Sequence, residues 1–376
     1  MTIVPGFWLQ YTFQGADELV ALADVLGRGN SRPGIVFTPT GAPERLARLY
    51  NHARRRGEAF LDPSGFLLDR PPSAQRRTNY PWLEQAYGRP VDVAGWTRWM
   101  ERSLEHQLSD DLCSGAARPS ILVTPCPLLR AAAGTEELYA VVDAAVAAST
   151  AVGRGRECWI GIVVDRDFLR QEDHLTKLAD ALVNSSPPGV VFRCFQPELA
   201  PLTDRRVLEG FREVVEGCVG AGIGVSLPNS GWLGWLAMAW GATGFSGGLS
   251  KSSWFDRMPG PMANVLRRDT IFERQLLRHV PWPLHRLLTE IRGYDRCTCS
   301  SCAAMAVGAF DATLAKTHQI RAAHAYGRAL RQQNVVARRR RLRFQIEAAI
   351  DFRNGLPLPL RARADAGFLD TWLSLL

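Results

Sequence analysis

Short apolar runs alternate along the chain with longer stretches in which apolar residues return every third or fourth position. Runs of the first kind cover residues 7–13, 34–37, 59–61, 121–123, 159–164, 190–195, 224–227 and 243–246, and each predicts a buried strand. Stretches of the second kind, at 43–56, 93–108, 136–148, 171–183, 205–219 and 232–240, predict amphipathic helices. Strand and helix in regular alternation imply parallel pairing, because a parallel neighbour is reached only through a crossover. Eight such strands predict an α/β fold, a (β/α)8 TIM barrel spanning residues 1–250. Residues 68–119, between the third and fourth strands, are too many for a simple crossover and predict an inserted lid or docking element. The remainder, 251–376, reads as a metal-binding and helical region packed on the barrel, with one helix over 312–343. Trp232, Trp235 and Trp240 lie on a helical pattern and are expected in the core.

Composition narrows the functional classes. A chain of 376 residues with 46% hydrophobic content can build a substantial core. It has no uninterrupted apolar run of membrane-spanning length, and its first residues lack the blocks of a secretory signal, so a cytoplasmic protein without membrane association is expected. Cys113, Cys126, Cys158, Cys194 and Cys218 are scattered, several within apolar runs, which fits reduced core residues and not a disulfide framework. The net charge of +8 favours an anionic partner, nucleic acid being the usual one. Basic clusters at Arg54 to Arg56, Arg76 and Arg77, and Arg338 to Arg341 with Arg343 are candidate phosphate contacts; a solvated, dipole-favoured helix end explains the last equally well.

The densest chemistry is Cys297-Thr298-Cys299-Ser300-Ser301-Cys302, followed by His318 and His324. Three thiols on one tight loop and a histidine on a following helix can form the tetrahedron of a structural zinc site. Spacing leaves the fourth ligand open between the two histidines. The competing reading is a set of small buried hydrophobes or a redox pair.

In barrels of this class the reacting groups follow the strands, at the rim built from variable loops. Asp62, with Ser64 and Gly65, leaves the third strand on a turn whose glycine admits a ligand close to the backbone. The same aspartate can equally cap its own turn. Asp165 and Glu198 follow neighbouring strands and are candidates for divided acid and base roles, or for ion pairs with Arg166 or Arg193. Gln196, Asn229, Ser246, Gly247 and Gly248 complete a candidate substrate-binding set, with simple turn chemistry as the alternative.

Barrel and cysteine loop together resemble the tRNA-guanine transglycosylase superfamily. Cys297, Cys299 and Cys302 are similar to its three thiolate ligands, and Thr317-His318-Gln319-Ile320 with Tyr326 to its histidine-bearing helix, which implies His318 as fourth ligand. Leu61 to Phe66 resembles the family's aspartate-serine-glycine-phenylalanine stretch, and 241–246 its last strand. The resemblance implies a guanine-exchanging glycosyltransferase with Asp62 in the chemistry, a structural zinc ion, a small 7-deazaguanine base as incoming partner, and a possible homodimer or protein partner. Two departures matter. Ser246 stands where the family is expected to carry its nucleophilic aspartate, leaving Asp62, Asp165, Glu198 or Asp256 to take that part, and 192–198 replaces the family's glycine-rich pocket sequence. A serine does not readily form the glycosyl-enzyme bond that a carboxylate forms. The implied substrate is nucleic acid, DNA favoured over tRNA, and the alternative is a non-catalytic nucleic-acid-binding or partner subunit of the same fold.

Overall fold

The computed structural model describes residues 6–11, 22–23, 25–27, 33–38, 43–56, 58–65, 68, 89–113, 118–132, 134–195, 202–249, 269–307 and 309–376. Its centre is a nearly closed barrel of parallel strands: β1 Phe7–Tyr11, β2 Gly34–Phe37, β3 Ala59–Leu61, β4 Ile121–Val123, with β5 Leu128–Leu129 continuing it, then β6 Glu157–Asp165, β7 Gly189–Phe195, β8 Gly224–Leu227 and β9 Gly244–Gly247. Hydrogen-bonded neighbours run β3-β2-β1-β9-β8-β7-β6-β4, and β5 also pairs with β6. The seam lies between β3 and β4, and the loops beyond them touch: a Cβ on Gly65 would come within 2.5 Å of the Cys126 amide nitrogen. The predicted eight-stranded architecture is therefore the observed one, its fourth strand broken in two.

Among the described residues six helices cover the barrel between strands: α1 Pro43–Arg56, α2 Val93–Leu108, α3 Thr135–Gly153, α4 Glu172–Ser185, α5 Arg205–Gly220 and α6 Leu233–Ala239. Short polar side chains start several of them. Asp92 accepts from the Gly95 amide at 2.7 Å and Asp204 from Val207 at 3.2 Å, satisfying amides that the first turn leaves without partners. Of the predicted insertion, α2 packs on the barrel, and residues 69–88 lie outside the described set.

Side chains of alternate residues point into the barrel, and register keeps the inward positions aligned from strand to strand. One inner layer is apolar: Trp8, Val36, Phe60, Ile121, Val123, Trp159 and Val191 form a cluster separate from the core between strands and helices. Two tryptophans fit there because glycines face them. A Cβ on Gly34 would lie 2.2 Å from the Trp8 ring, and one on Gly189 would lie 2.4 Å from that of Trp159. Further toward the C-terminal ends of the strands the inward residues turn polar, with Gln10, Asp62, Arg193 and Ser246 all buried.

After β9 comes a hairpin, β10 Thr270–Glu273 and β11 Arg278–Pro281, then α7 Trp282–Thr289, the cysteine loop, α8 Ser300–Val307 and α9 Ala312–Arg331. This module has its own core, which includes Ile271, Val280, Leu284, Leu288, Met305 and Ala315. The second half of α9 belongs to the barrel, where Ile320, Ala323 and Leu330 join the main core. Its approach is close: a Cβ on Gly327 would lie 3.0 Å from both Phe7 and Phe245, on β1 and β9. Thus α9 stands on the barrel wall as its next outer helix while its first turns belong to the metal module.

The helix predicted over 312–343 is two. Gln332, Gln333 and Asn334 break it, and α10 Val335–Gly355 restarts with the Asn334 side chain accepting from the Ala337 amide at 2.9 Å. Asparagine is a poor interior helix residue and a good cap, which favours the break. The arginine run on α10 is divided in use. Arg338 is buried and donates to the backbone oxygens of Met238 and Ala242, and Arg339 bonds Ala239 O and Glu216, whereas Arg340, Arg341 and Arg343 are exposed. Helices α11 Leu358–Arg363 and α12 Phe368–Leu373 end the chain, the Trp372 indole donating to Leu202 O at 2.9 Å. Among the described residues no helix is long and apolar enough to cross a membrane.

Candidate functional site

Cys297, Cys299, Cys302 and His318 converge, their ligand atoms all within 4.8 Å of one another. His318 Nδ1 lies 3.6, 3.4 and 3.1 Å from the three sulfurs in that order. A small tetrahedral ion with thiolate and imidazole ligands sets these edges at about 3.5 Å, so the donors already stand where such an ion requires them. Two features hold the set. The Cys302 amide points at Cys299 Sγ at 3.4 Å, which folds the loop back on itself, and the Phe272 carbonyl lies 2.9 Å from His318 Nε2. A proton on Nε2 given to that carbonyl leaves Nδ1 free to face the sulfurs, the tautomer that a ligand histidine needs. Hydrogen bonds from Cys299 and then Cys302 lower the Cys297 thiol, while its two neighbours raise Cys302, so the three sulfurs share their protons as one group.

His324, the alternative ligand, is elsewhere. It is buried farther along α9 with its ring 6.3 Å from Phe7, on the barrel side. The five scattered cysteines are unlike the loop thiols. Burial pushes Cys126 up to about 12 and Cys113 and Cys218 to about 11, so these thiols stay protonated and unreactive.

At the barrel mouth, Asp62 is 4% exposed and both its oxygens are engaged. Oδ1 accepts from the Ser64 amide at 2.9 Å, and Oδ2 from the Arg193 guanidinium at 2.7 Å. Asp62 thus caps its own turn, as one sequence alternative had it, with Ser64 held at φ 50, and it also forms an ion pair inside the barrel that the sequence did not assign to it. Arg193 comes from β7 and also lies over the Phe195 ring, 5.5 Å from its centroid.

A second polar chain crosses β1, β2 and β9. The Gln10 side-chain amide donates to Thr38 Oγ1 at 2.9 Å, Ser246 Oγ donates to Gln10 Oε1 at 2.9 Å, and the Asn229 amide donates to Ser246 Oγ at 2.8 Å. Ser246 therefore both donates and accepts within the fold. Asp165 caps the turn that follows β6 by accepting from the Phe168 amide at 2.8 Å. Gly247 and Gly248 are buried at the end of β9, and Gly65 closes against Cys126. Gln196, Glu198, Asp256, Arg76 and Arg77 lie outside the described residues.

Sequence reasoning missed Arg193 as the partner of Asp62 and did not single out Gln10 or Glu273. Arg193 and Gln10 are polar residues within largely apolar strands and Glu273 closes the short strand β10, and a buried charge without a partner costs on the order of 3–5 kcal/mol by ordinary desolvation arguments. The signal was therefore the lone arginine in Val190-Val191-Phe192-Arg193-Cys194-Phe195. No family model matches the chain, and no curated protein matches it either.

Proposed function

We propose that this chain is a zinc-stapled, transglycosylase-like barrel that exchanges guanine for a 7-deazaguanine base in nucleic acid, DNA favoured over tRNA. The observation that carries the reading is Asp62, a carboxylate buried at the C-terminal end of β3 and aimed by Arg193 and the Ser64 amide. An oriented carboxylate at that end of a barrel is suited to stabilise a cationic sugar carbon while the glycosidic bond breaks and its electron pair leaves with the base. Asp62 serves as acid/base or nucleophile, and Arg193 positions it. Asp165, with Ser64, Gly65, Asn229, Gly247 and Gly248, supplies contacts to the base, and Ser246 ties the wall together; Glu198 and Gln196, outside the described residues, are assigned to the same set from the sequence alone. The three-thiolate, one-imidazole donor set favours zinc over harder ions. Zinc there fixes the module and takes no part in the chemistry.

The test is exchange of labelled guanine into DNA and tRNA by the wild type and by Asp62→Asn, which keeps the shape of the side chain. Loss of at least about a hundredfold in exchange supports the reading, the range expected for an acid, base or nucleophile. Undiminished exchange in the variant removes Asp62 from the site. A second reading is favoured by Ser246, whose hydroxyl is taken up by Gln10 and Asn229. It makes the protein a non-catalytic subunit that docks nucleic acid or a protein partner, with salt-dependent binding and no exchange.

A further inference from the structure

Beside the metal loop, on the face of the module formed by α7, the 291–297 segment and α8, lies a cavity of about 250 Å³. Its lining has three kinds of group. Trp282 and His285 stand on one wall with ring centroids 5.3 Å apart and planes at 27°. Ile271, Met305 and the sulfurs' own residues Cys297 and Cys302 make the floor apolar and polarisable. Arg286 and Arg296, both exposed, stand at the rim with one acidic neighbour, Glu290.

Behind the wall sits Glu273, 1% exposed. One of its oxygens, Oε2, takes hydrogen bonds from both His285 Nδ1 and the Tyr294 hydroxyl, each at 2.8 Å, and the other accepts from the Gln275 amide at 3.1 Å. A carboxylate this deeply buried is costly unless its partners are fixed, and here the partners are two residues that line the cavity. With Nδ1 held by Glu273, His285 offers the cavity its Nε2, and the Tyr294 oxygen keeps its lone pairs for an incoming donor. A buried charge that orients cavity residues is a feature of binding sites, where few polar groups converge on a mostly apolar recess.

From these observations we infer that the cavity is a ligand site for a planar aromatic ring carrying an anionic group, the chemistry of a nucleotide. The ring lies against Trp282 and the soft floor, a ring N–H donates to the Tyr294 oxygen or to His285 Nε2, and the phosphate is taken by Arg286 and Arg296 at the rim. The volume admits one nucleotide's base and little more. Such a nucleotide comes either from free solution or from the end of a strand, and the recognising chemistry is common to both. The inference stands apart from the barrel chemistry and holds whether or not the barrel exchanges bases.

Titration calorimetry on the full-length, metal-loaded protein tests it, with guanosine monophosphate, guanosine, inorganic phosphate and a 5′-phosphorylated single-stranded trinucleotide as probes. The monophosphate is expected to bind at least tenfold tighter than either guanosine or phosphate, since only it engages both wall and rim. Because Arg286 and Arg296 are exposed, Arg286→Ala and Arg296→Ala keep the fold, and each is expected to weaken the monophosphate by about tenfold while leaving guanosine unchanged. Trp282→Leu is expected to weaken guanosine and monophosphate alike. A trinucleotide that binds tighter than the monophosphate assigns the site to strand ends, and the reverse assigns it to free nucleotides. No heat with the monophosphate at millimolar concentration overturns the inference, as does monophosphate binding that survives the arginine variants intact. Metal content measured on each variant separates loss of the site from loss of the module.

Discussion

Barrel mouth and metal module both bury a carboxylate, and they use it differently. At the mouth, Asp62 gives its two oxygens to its own turn and to Arg193, and the neighbouring Ser246 is closed between Gln10 and Asn229. In the module, the oxygens of Glu273 are just as fully bonded, but two of the groups it holds, His285 and Tyr294, border an open cavity. In the first region the polar groups chiefly cross-link strands, and in the second the buried acid is a footing for side chains that remain accessible. A buried acidic residue is therefore read from its surroundings: at the mouth the acid is itself the group held in place, and in the module it holds others in place.

The largest effect that bears on this contrast is expected at the cluster of Cys297, Cys299, Cys302 and His318, which could hold a metal ion. Cys297→Ser or strong chelation is expected to strip the ion and loosen the module, since a structural ion of this type contributes on the order of 10 kcal/mol to small metal-dependent folds. Because α9 carries His318 at one end and Ile320 to Leu330 in the main core, the loss reaches the barrel. Calorimetry is expected to show a fall of at least about 10 °C in Tm together with loss of one metal ion per chain. An unchanged barrel transition would show that the two regions are mechanically separate.

Next comes the pair at the mouth. Arg193→Met strands Asp62 in a dry interior and is expected to cost about 3–5 kcal/mol in urea unfolding. Adding Asp62→Asn in the same chain is expected to restore about half of that, because the residual cost is then only an unpaired polar group. Equal destabilisation by the single and double variants would mean that the ion pair is not what holds the mouth.

Alkaline pH sharpens the comparison on the thiols. Burial holds Cys126 up to about 12 and Cys113 and Cys218 to about 11, whereas in the unfolded chain they ionise near the ordinary thiol value. Between about pH 9 and pH 11 the unfolded state thus releases protons first, so their contribution is whole below that window and falls as pH rises through it. The native barrel thiols are accordingly expected to resist a thiol reagent at pH 8 and to react only on unfolding, read by absorbance. The smallest effect is at the break between α9 and α10, where Asn334→Ala is expected to cost about 1 kcal/mol through loss of the cap to Ala337.

The barrel was legible because its strands are buried on both faces and read as continuous apolar runs, and because amphipathic helical patterns stand between them even where, as at 68–119, the connection is long. The cysteine loop was legible because three thiols in six residues have few other uses. Spacing alone left His318 and His324 equivalent, since both lie on one helix, and only the packing of α9 turns the first to the loop and the second to Phe7. The hairpin of β10 and β11 escaped notice because its strands are four residues each and its partners are local. Pairs such as Asp62 with Arg193 are separated by 131 positions, and no periodic pattern in one chain reports a contact that the closure of a barrel creates. The arginine run stayed ambiguous for a related reason: composition cannot tell a guanidinium that bonds backbone carbonyls, as Arg338 does with Met238 and Ala242, from one that faces solvent.

Trp8 and Trp159, seated over Gly34 and Gly189, stopper the floor of the barrel. Ring and glycine are matched in size at both places, so a residue larger than glycine at 34 or 189 has to push an indole out of its seat, and the seal on that side of the barrel is set by two missing side chains as much as by two large ones.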